Sequence, residues 1–160
     1  MPGGSPVNVS KDFEELFGFF NARKVKALVV GGYAFSFHAR PRTTKDLDVF
    51  FEATAENARR VLLALDDFGF GSLPLTLEDL TVPGRILQLG YPPFRIDFLN
   101  SLQAINFAEA WERRVEGHFG RETVFYLGVE DLIRNKEAVA RLQDLADVEV
   151  LKRFTRKPKS

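Results

Sequence analysis

From the amino terminus, the first apolar positions fall at helical spacing. Phe13, Leu16, Phe17 and Phe20 recur three and four apart, which predicts a helix over 12–22 with one face against a core. Ser10 precedes it as a capping residue, and Asp12, Glu14 and Glu15 suit its positive end. The period then changes. Residues 25–30 form a short apolar run ended by Gly31 and Gly32, the pattern of a buried strand entering a tight turn. A short helix is expected over 33–39. Residues 40–44 form a loop, because Pro41 disfavours helix across it.

Residues 46–51 begin by alternating acidic with apolar side chains, the period of a strand with one face toward the core. Thr54 is a cap for a helix running to residue 65, whose buried stripe is Val61, Leu62 and Leu65. Strands are expected at 85–89 and 94–99, joined by a turn of Gly90, Tyr91, Pro92 and Pro93 and therefore antiparallel neighbours. Beyond them the pattern predicts a helix over 103–113, a strand over 122–127 and one long helix over 129–151. The organisation expected is a flexible leader at 1–9, a single domain over 10–151 and a basic tail at 152–160.

Composition narrows the functions open to such a chain. Its 160 residues are 45% hydrophobic and 28% charged, enough to bury one sizeable core. Lysine and arginine balance aspartate and glutamate at 22 each, so no global field draws it to nucleic acid or an anionic membrane, and any attraction for phosphate must be local. There is no cysteine, which excludes disulfides, thiolate catalysis and cysteine-ligated metals. The longest apolar stretch, 27–37, is too short to span a bilayer. The start of the chain lacks a secretory pattern, and a cytoplasmic protein without membrane contact is expected.

Asp46, Asp48 and Asp97 stand out, because strands seldom carry carboxylates without something to neutralise them. Asp46 and Asp48, two apart on one strand, share a face about 7 Å apart along the backbone. Asp97 alternates with Ile96 and Phe98 on a later strand. If these strands are neighbours, the carboxylates cluster, and like charges so close call for a cation. An all-oxygen set suits Mg²⁺ or Mn²⁺, and two such ions would serve phosphoryl transfer. The plainer alternative is that Asp46 and Asp48 pair with Arg40, Arg42 or Lys45 and bind no metal.

Other segments carry chemistry that fits the same site. The Gly31 and Gly32 turn, between a strand and a helix start, lets phosphate oxygens approach backbone amides; without a ligand it is an ordinary tight turn. Dinucleotide-binding and P-loop glycine spacings are absent. Arg40, Arg42, Lys45, Thr43 and Thr44 lie just upstream of the acids, with Arg42 and Thr44 the candidates for a triphosphate. Near the carboxyl end, Lys136 and Asp147 fall nearly on one helical line with Asp144 beside them, and Leu142, Leu145 and Ala146 on the other side. Without a ligand these form an exposed helix salt bridge. His38 and His118 share no ligand spacing and read as surface histidines, although His38 has the option of leaning over a cleft. Trp111, four residues after Phe107, reads as core.

The ordered set of apolar strand, Gly31 and Gly32, thirteen residues, then Asp46, Leu47, Asp48 and Val49, with Asp97 on a later strand, resembles the nucleotidyltransferase superfamily with the DNA polymerase beta type of catalytic fold. The resemblance covers about residues 25–99. It implies an α/β (α+β) fold, a small mixed sheet flanked by helices with a C-terminal helix packed on or beside it. It implies that Asp46 and Asp48 hold metal, that Asp97 completes one site and orients or deprotonates the attacking hydroxyl, and that Gly31 and Gly32 hold nucleotide phosphates. Many members carry serine where this chain has Gly32. The C-terminal segment resembles that of small bacterial enzymes of this type, including toxins of toxin–antitoxin pairs, which implies phosphate contact by Lys136, its placement by Asp147 or Asp144, and a cognate antitoxin as partner. The activity expected is metal-dependent transfer of a nucleoside monophosphate from an NTP, ATP or another ribonucleotide, to a hydroxyl with release of pyrophosphate. The acceptor stays open among a tRNA end, a protein side chain and a small molecule. The alternative is a non-catalytic module of the same fold that binds nucleotide or a partner.

Overall fold

The structure, a computed structural model, describes residues 11–44, 46–91 and 95–155. The leader, the Ser10 cap, Lys45, Pro92 and Pro93 of the expected turn, and the end of the basic tail lie outside them. Helix α1 (Lys11–Ala22) buries the four predicted residues Phe13, Leu16, Phe17 and Phe20. Strand β1 (Ala27–Val30) is buried throughout. Helix α2 (Gly31–His38) begins directly at the glycines, two residues before the expected start. Strand β2 (Asp46–Phe51) follows. Helix α3 (Ala55–Leu65) is capped as predicted, the Thr54 side chain accepting from the Asn57 amide.

Helix α3 continues into a π-type turn, Asp66–Phe70, and then helix α4 (Leu77–Thr81) with a reciprocal Thr76 and Asp79 cap. Strands β3 (Ile86–Leu89) and β4 (Arg95–Leu99) are antiparallel neighbours, as their short connection implied. The helix expected over 103–113 is confined to α5 (Phe107–Glu112). Ala104 takes a left-handed φ of 66° inside a tight bend where Leu102 and Ile105 bridge, and Asn106 then caps the helix. Strand β5 (Val115–Phe119), which the pattern did not reveal, forms a hairpin with β6 (Glu122–Tyr126) through Gly120 at φ 60°.

The long helix expected over 129–151 is two helices, α6 (Val129–Val139) and α7 (Leu142–Thr155). Ala140, at φ 59°, breaks the run. The break reverses the predicted facing of α7. Asp144 and Asp147 are buried at 3% and 1% exposure, whereas Leu142 and Leu145 are 88% and 45% exposed.

The strands form one mixed six-stranded sheet in the order β3, β4, β2, β1, β6, β5. Strand β2 is antiparallel to β1 and parallel to β4, and β1 is parallel to β6. Registers of β2 with β4 set Leu47 beside Ile96 and Val49 beside Phe98 on one face, and all are buried. On that face Phe98 meets Phe20 of α1 at 5.9 Å between ring centres. The opposite face carries Asp46, Asp48 and Phe50, and Phe50 meets Phe107 of α5 at 5.1 Å. Helix α5 thus covers the lower end of that face, and the acidic end stays half-open. Among the described residues no helix is long and apolar enough to cross a membrane.

Candidate active site

The parallel pairing of β2 and β4 sets Asp46 beside Arg95 and Asp48 beside Asp97. Since neighbouring residues in register share a face, the carboxylates of Asp46, Asp48 and Asp97 gather on the half-open face, as the strand pattern required. Strand β1 brings the glycine turn to them, because Val30 pairs with Asp48 and Gly31 follows. Gly31 has φ 65°, and a Cβ there would collide with the Asp48 carboxylate. Both conditions require glycine. The first amides of α2 therefore open beside Asp48, and no side chain caps them.

Asp48 is under electrostatic stress. Burial, then the charges of Asp97 and Asp46, push its carboxyl up to about 7, and Arg95 only partly offsets this. Arg95 Nε approaches Asp97 at 3.5 Å and Asp46 at 3.8 Å. Neither contact is a hydrogen bond: Arg95 Nε and Asp97 Oδ1 are buried atoms with no hydrogen-bond partner among the described residues. Among the described residues, no three aspartate, glutamate or histidine side chains already converge on one ion position. Still, an orphaned carboxylate oxygen beside an acid that resists ionising is a donor set short of positive charge, and it fits a divalent cation. The sequence had offered Arg40, Arg42 or Lys45 as partners for Asp46 and Asp48. The arginine beside the acids is Arg95, and the signal for it is its place two residues before Asp97 on a strand, which puts it on the same face.

Gly32 is explained by its neighbour. A Cβ at this position would collide with the Thr44 methyl, so the loop threonine fills the volume that a serine side chain would occupy. Arg42 reaches the C-terminal acids. Its guanidinium makes a two-pronged bond to Asp147 and lies over the Phe35 ring at 3.8 Å. Lys136, only 8% exposed, reaches the same carboxylate at 2.8 Å and Asp144 at 3.7 Å, and Gln143 donates to Asp147 as well. Burial alone would raise the Asp147 carboxyl, but hydrogen bonds from Arg42, Lys136 and Gln143 outweigh it and hold it well below the usual carboxylate range. This is a buried cluster, where the sequence allowed for an exposed salt bridge. It sits against Phe35, four residues or about one turn beyond Gly31.

His38 neither leans over the cleft nor lies free on the surface. Its Nε2 donates to the Leu127 carbonyl at 2.7 Å, and burial lowers its pKa, keeping it neutral. Trp111 is a core residue, as expected, stacked on Phe107 at 5.7 Å.

A six-stranded mixed sheet with helices on its faces, acids on adjacent parallel strands and a glycine turn at their end defines the nucleotidyltransferase type of architecture. The chain belongs to the family described as nucleotidyltransferase of unknown function (DUF6036), whose model matches residues 7–153. Among solved structures it is similar to the lincosamide antibiotic adenylyltransferase LnuA bound to lincomycin, with a TM-score of 0.52 and 16% identity over 91% of this chain and 97% of that one. It is also similar to ANT(2")-Ia in complex with adenylyl-2"-tobramycin, with a TM-score of 0.51 and 15% identity over 89% of this chain and 87% of the other. At such identity the likeness is one of fold. Among curated proteins none matches the sequence.

Proposed function

We propose that this nucleotidyltransferase moves a nucleoside monophosphate from an NTP, ATP or another ribonucleotide, to a hydroxyl of a small-molecule acceptor in the cytoplasm, with Mg²⁺ or Mn²⁺ as cofactor. The observation that carries the reading is the register of β2 with β4, which sets Asp48 beside Asp97 on a half-open face next to the uncapped start of α2. Asp46, Asp48 and Asp97 hold the cation. When bound, it neutralises charge on the transferring phosphoryl group and on the leaving oxygen.

Asp97 orients the acceptor hydroxyl and takes its proton. The acceptor oxygen forms a bond to the α-phosphorus, the bond from that phosphorus to the bridging oxygen breaks, and pyrophosphate leaves. Backbone amides of Gly31 and Gly32 hold phosphate oxygens at the positive end of α2. Thr44, seated over Gly32, supplies the hydroxyl that the glycine lacks. Lys136 and Arg42, gathered on Asp147 beside Phe35 of α2, place positive charge toward the pyrophosphate side. Most of the catalytic effect is positioning and charge compensation.

A small-molecule acceptor is supported by the antibiotic adenylyltransferases of similar fold and by the floor beside Asp97. Gln88 pairs in register with Asp97 and Ile86 with Leu99, and both β3 residues are exposed on the same face. That floor offers an amide and an apolar surface. The test is pyrophosphate release across a panel of hydroxylated small molecules, tRNA and protein acceptors, with and without Mg²⁺. Metal-dependent release with a small molecule, lost in Asp48→Asn, is the expected result. Nucleotide binding with no release under any acceptor would overturn it in favour of a binding module.

A further inference from the structure

Cations meet carboxylates in two different ways in this protein. Arg113 makes a two-pronged bond to Asp131 at 3.0 and 2.9 Å, and Arg42 does the same with Asp147. These are the matched forks that a planar guanidinium forms when its approach is free. Arg95 comes nearest to its acids through Nε, at 3.5 and 3.8 Å, and that nitrogen and Asp97 Oδ1 have no hydrogen-bond partner among the described residues. The backbone imposes this. Arg95 is two residues from Asp97 on one strand and directly beside Asp46 on the next, so it can only reach sideways between them. It supplies charge without completing hydrogen bonds. Both orphaned atoms carry a desolvation cost that a better partner would remove.

A cation held by charge alone is easily exchanged for one that the oxygens can coordinate. Its side chain is 35% exposed, so a way out lies open on the same face. We propose that Arg95 is a resident counter-ion, holding Asp46 and Asp97 in the metal-free protein and giving up its place when a divalent cation arrives, so that metal loading is coupled to nucleotide binding. The coupling arises because the displaced guanidinium needs a new anionic partner, and nucleotide phosphates on the half-open face provide one. Metal alone must compete with Arg95; metal with nucleotide does not. By linkage, each ligand then tightens the other. This inference rests on the metal-dependent reading above.

The test measures Mn²⁺ binding by calorimetry at pH 8, with and without a non-hydrolysable NTP analogue, in the full chain. In wild type the analogue tightens Mn²⁺ binding strongly. Arg95→Gln is expected to tighten binding of Mn²⁺ alone by about tenfold and to remove most of the gain from the analogue. Arg95→Lys, which keeps a charge on a shorter reach, tightens it by about two- to threefold and serves if the glutamine variant does not fold. Arg23→Gln, on the exposed Asp67 pair, changes nothing. Mn²⁺ affinity that is unchanged or weaker in both Arg95 variants overturns the proposal and leaves the enzymatic reading standing. Wild type that binds no Mn²⁺ with or without the analogue overturns both.

Discussion

Two clusters of acids lie against α2, one at Gly31 and the other through Arg42 and Lys136 at Phe35, and they are built on opposite terms. Around Asp147, every charge is answered: Arg42, Lys136 and Gln143 all donate to one buried carboxylate. Around Asp48, Asp46 and Asp97 are neighbours, Arg95 makes only distant contacts and an oxygen of Asp97 is orphaned. One carboxyl is held below its ordinary range and the other is pushed up to about 7. A satisfied buried network fixes geometry, because dismantling it strands charges. An unsatisfied one is ready for a ligand. The difference separates the residues that build the site from those that act in it.

The largest break in this comparison is Asp48→Asn. It should reduce nucleotidyl transfer by on the order of a thousandfold or more, since a charge that the reaction needs is gone. The metal-free protein should become more stable by about 1–3 kcal/mol at pH 8, because a like-charge repulsion is relieved. Pyrophosphate release and thermal unfolding in EDTA check both halves. Lost activity together with lost stability would place Asp48 among the structural acids.

Asp147→Asn should do the reverse. Removing the charge strands Arg42 and Lys136 at a buried position, and breaking such a pair costs about 3 kcal/mol. Urea unfolding reads the loss, and activity should fall chiefly through a raised KM for NTP as the two cations drift. An unchanged midpoint would show that the cluster adds nothing to the fold.

How far the chain could be read in advance follows the same division. The acids were legible because a period of two on strands at 46–51 and 94–99 leaves little choice of face, and the glycine turn marked itself by composition. Helix α7 was read as the continuation of one helix over 129–151, and its facing came out inverted. Its Asp144 and Asp147 are buried and Leu142 exposed, because Arg42 of the 40–44 loop, Lys136 of α6 and Arg141 between the helices outweigh the ordinary cost of burying a carboxylate. No spacing within one helix announces partners from other elements. Ala140 in the left-handed region gave no signal either, since glycine or asparagine is the usual mark of such a break. Strand β5 was hidden for a similar reason, its Val115, Glu116 and His118 being exposed and only Gly117 and Phe119 buried.

A smaller change tests the fit of the phosphate turn between the two clusters. Gly32→Ser puts a hydroxyl on the turn itself but collides with Thr44. Activity should drop about tenfold, a barrier change of about 1.4 kcal/mol. Gly32→Ser combined with Thr44→Ala clears the space and returns a hydroxyl, and should recover most of the rate. If the double variant is no better than the single one, the collision with the Thr44 methyl is not what lowers the rate, or a serine hydroxyl at 32 does not replace that of Thr44.

The two clusters should also leave opposite marks on the pH dependence of stability in EDTA. Asp147 has a lowered carboxyl pKa, so its contribution is complete above the unfolded value of 3.8 and is lost as pH falls below it. Asp48 has a raised one, so the folded state binds its proton more tightly, and stability declines as pH climbs from 3.8 to about 7. Together they produce a maximum near the shared unfolded value of 3.8, with each limb sloping by at most about 1.4 kcal/mol per pH unit per group. Urea midpoints from pH 3 to 8 would trace both limbs. Asp48→Asn should flatten the upper limb and leave the lower, and Asp147→Asn should make the lower shallower, the lowered carboxyls of Asp144, Asp67 and Asp79 keeping the rest of it, and leave the upper. A single variant that flattens both would mean that the clusters titrate as one, and that the separation of scaffold from site along α2 is wrong.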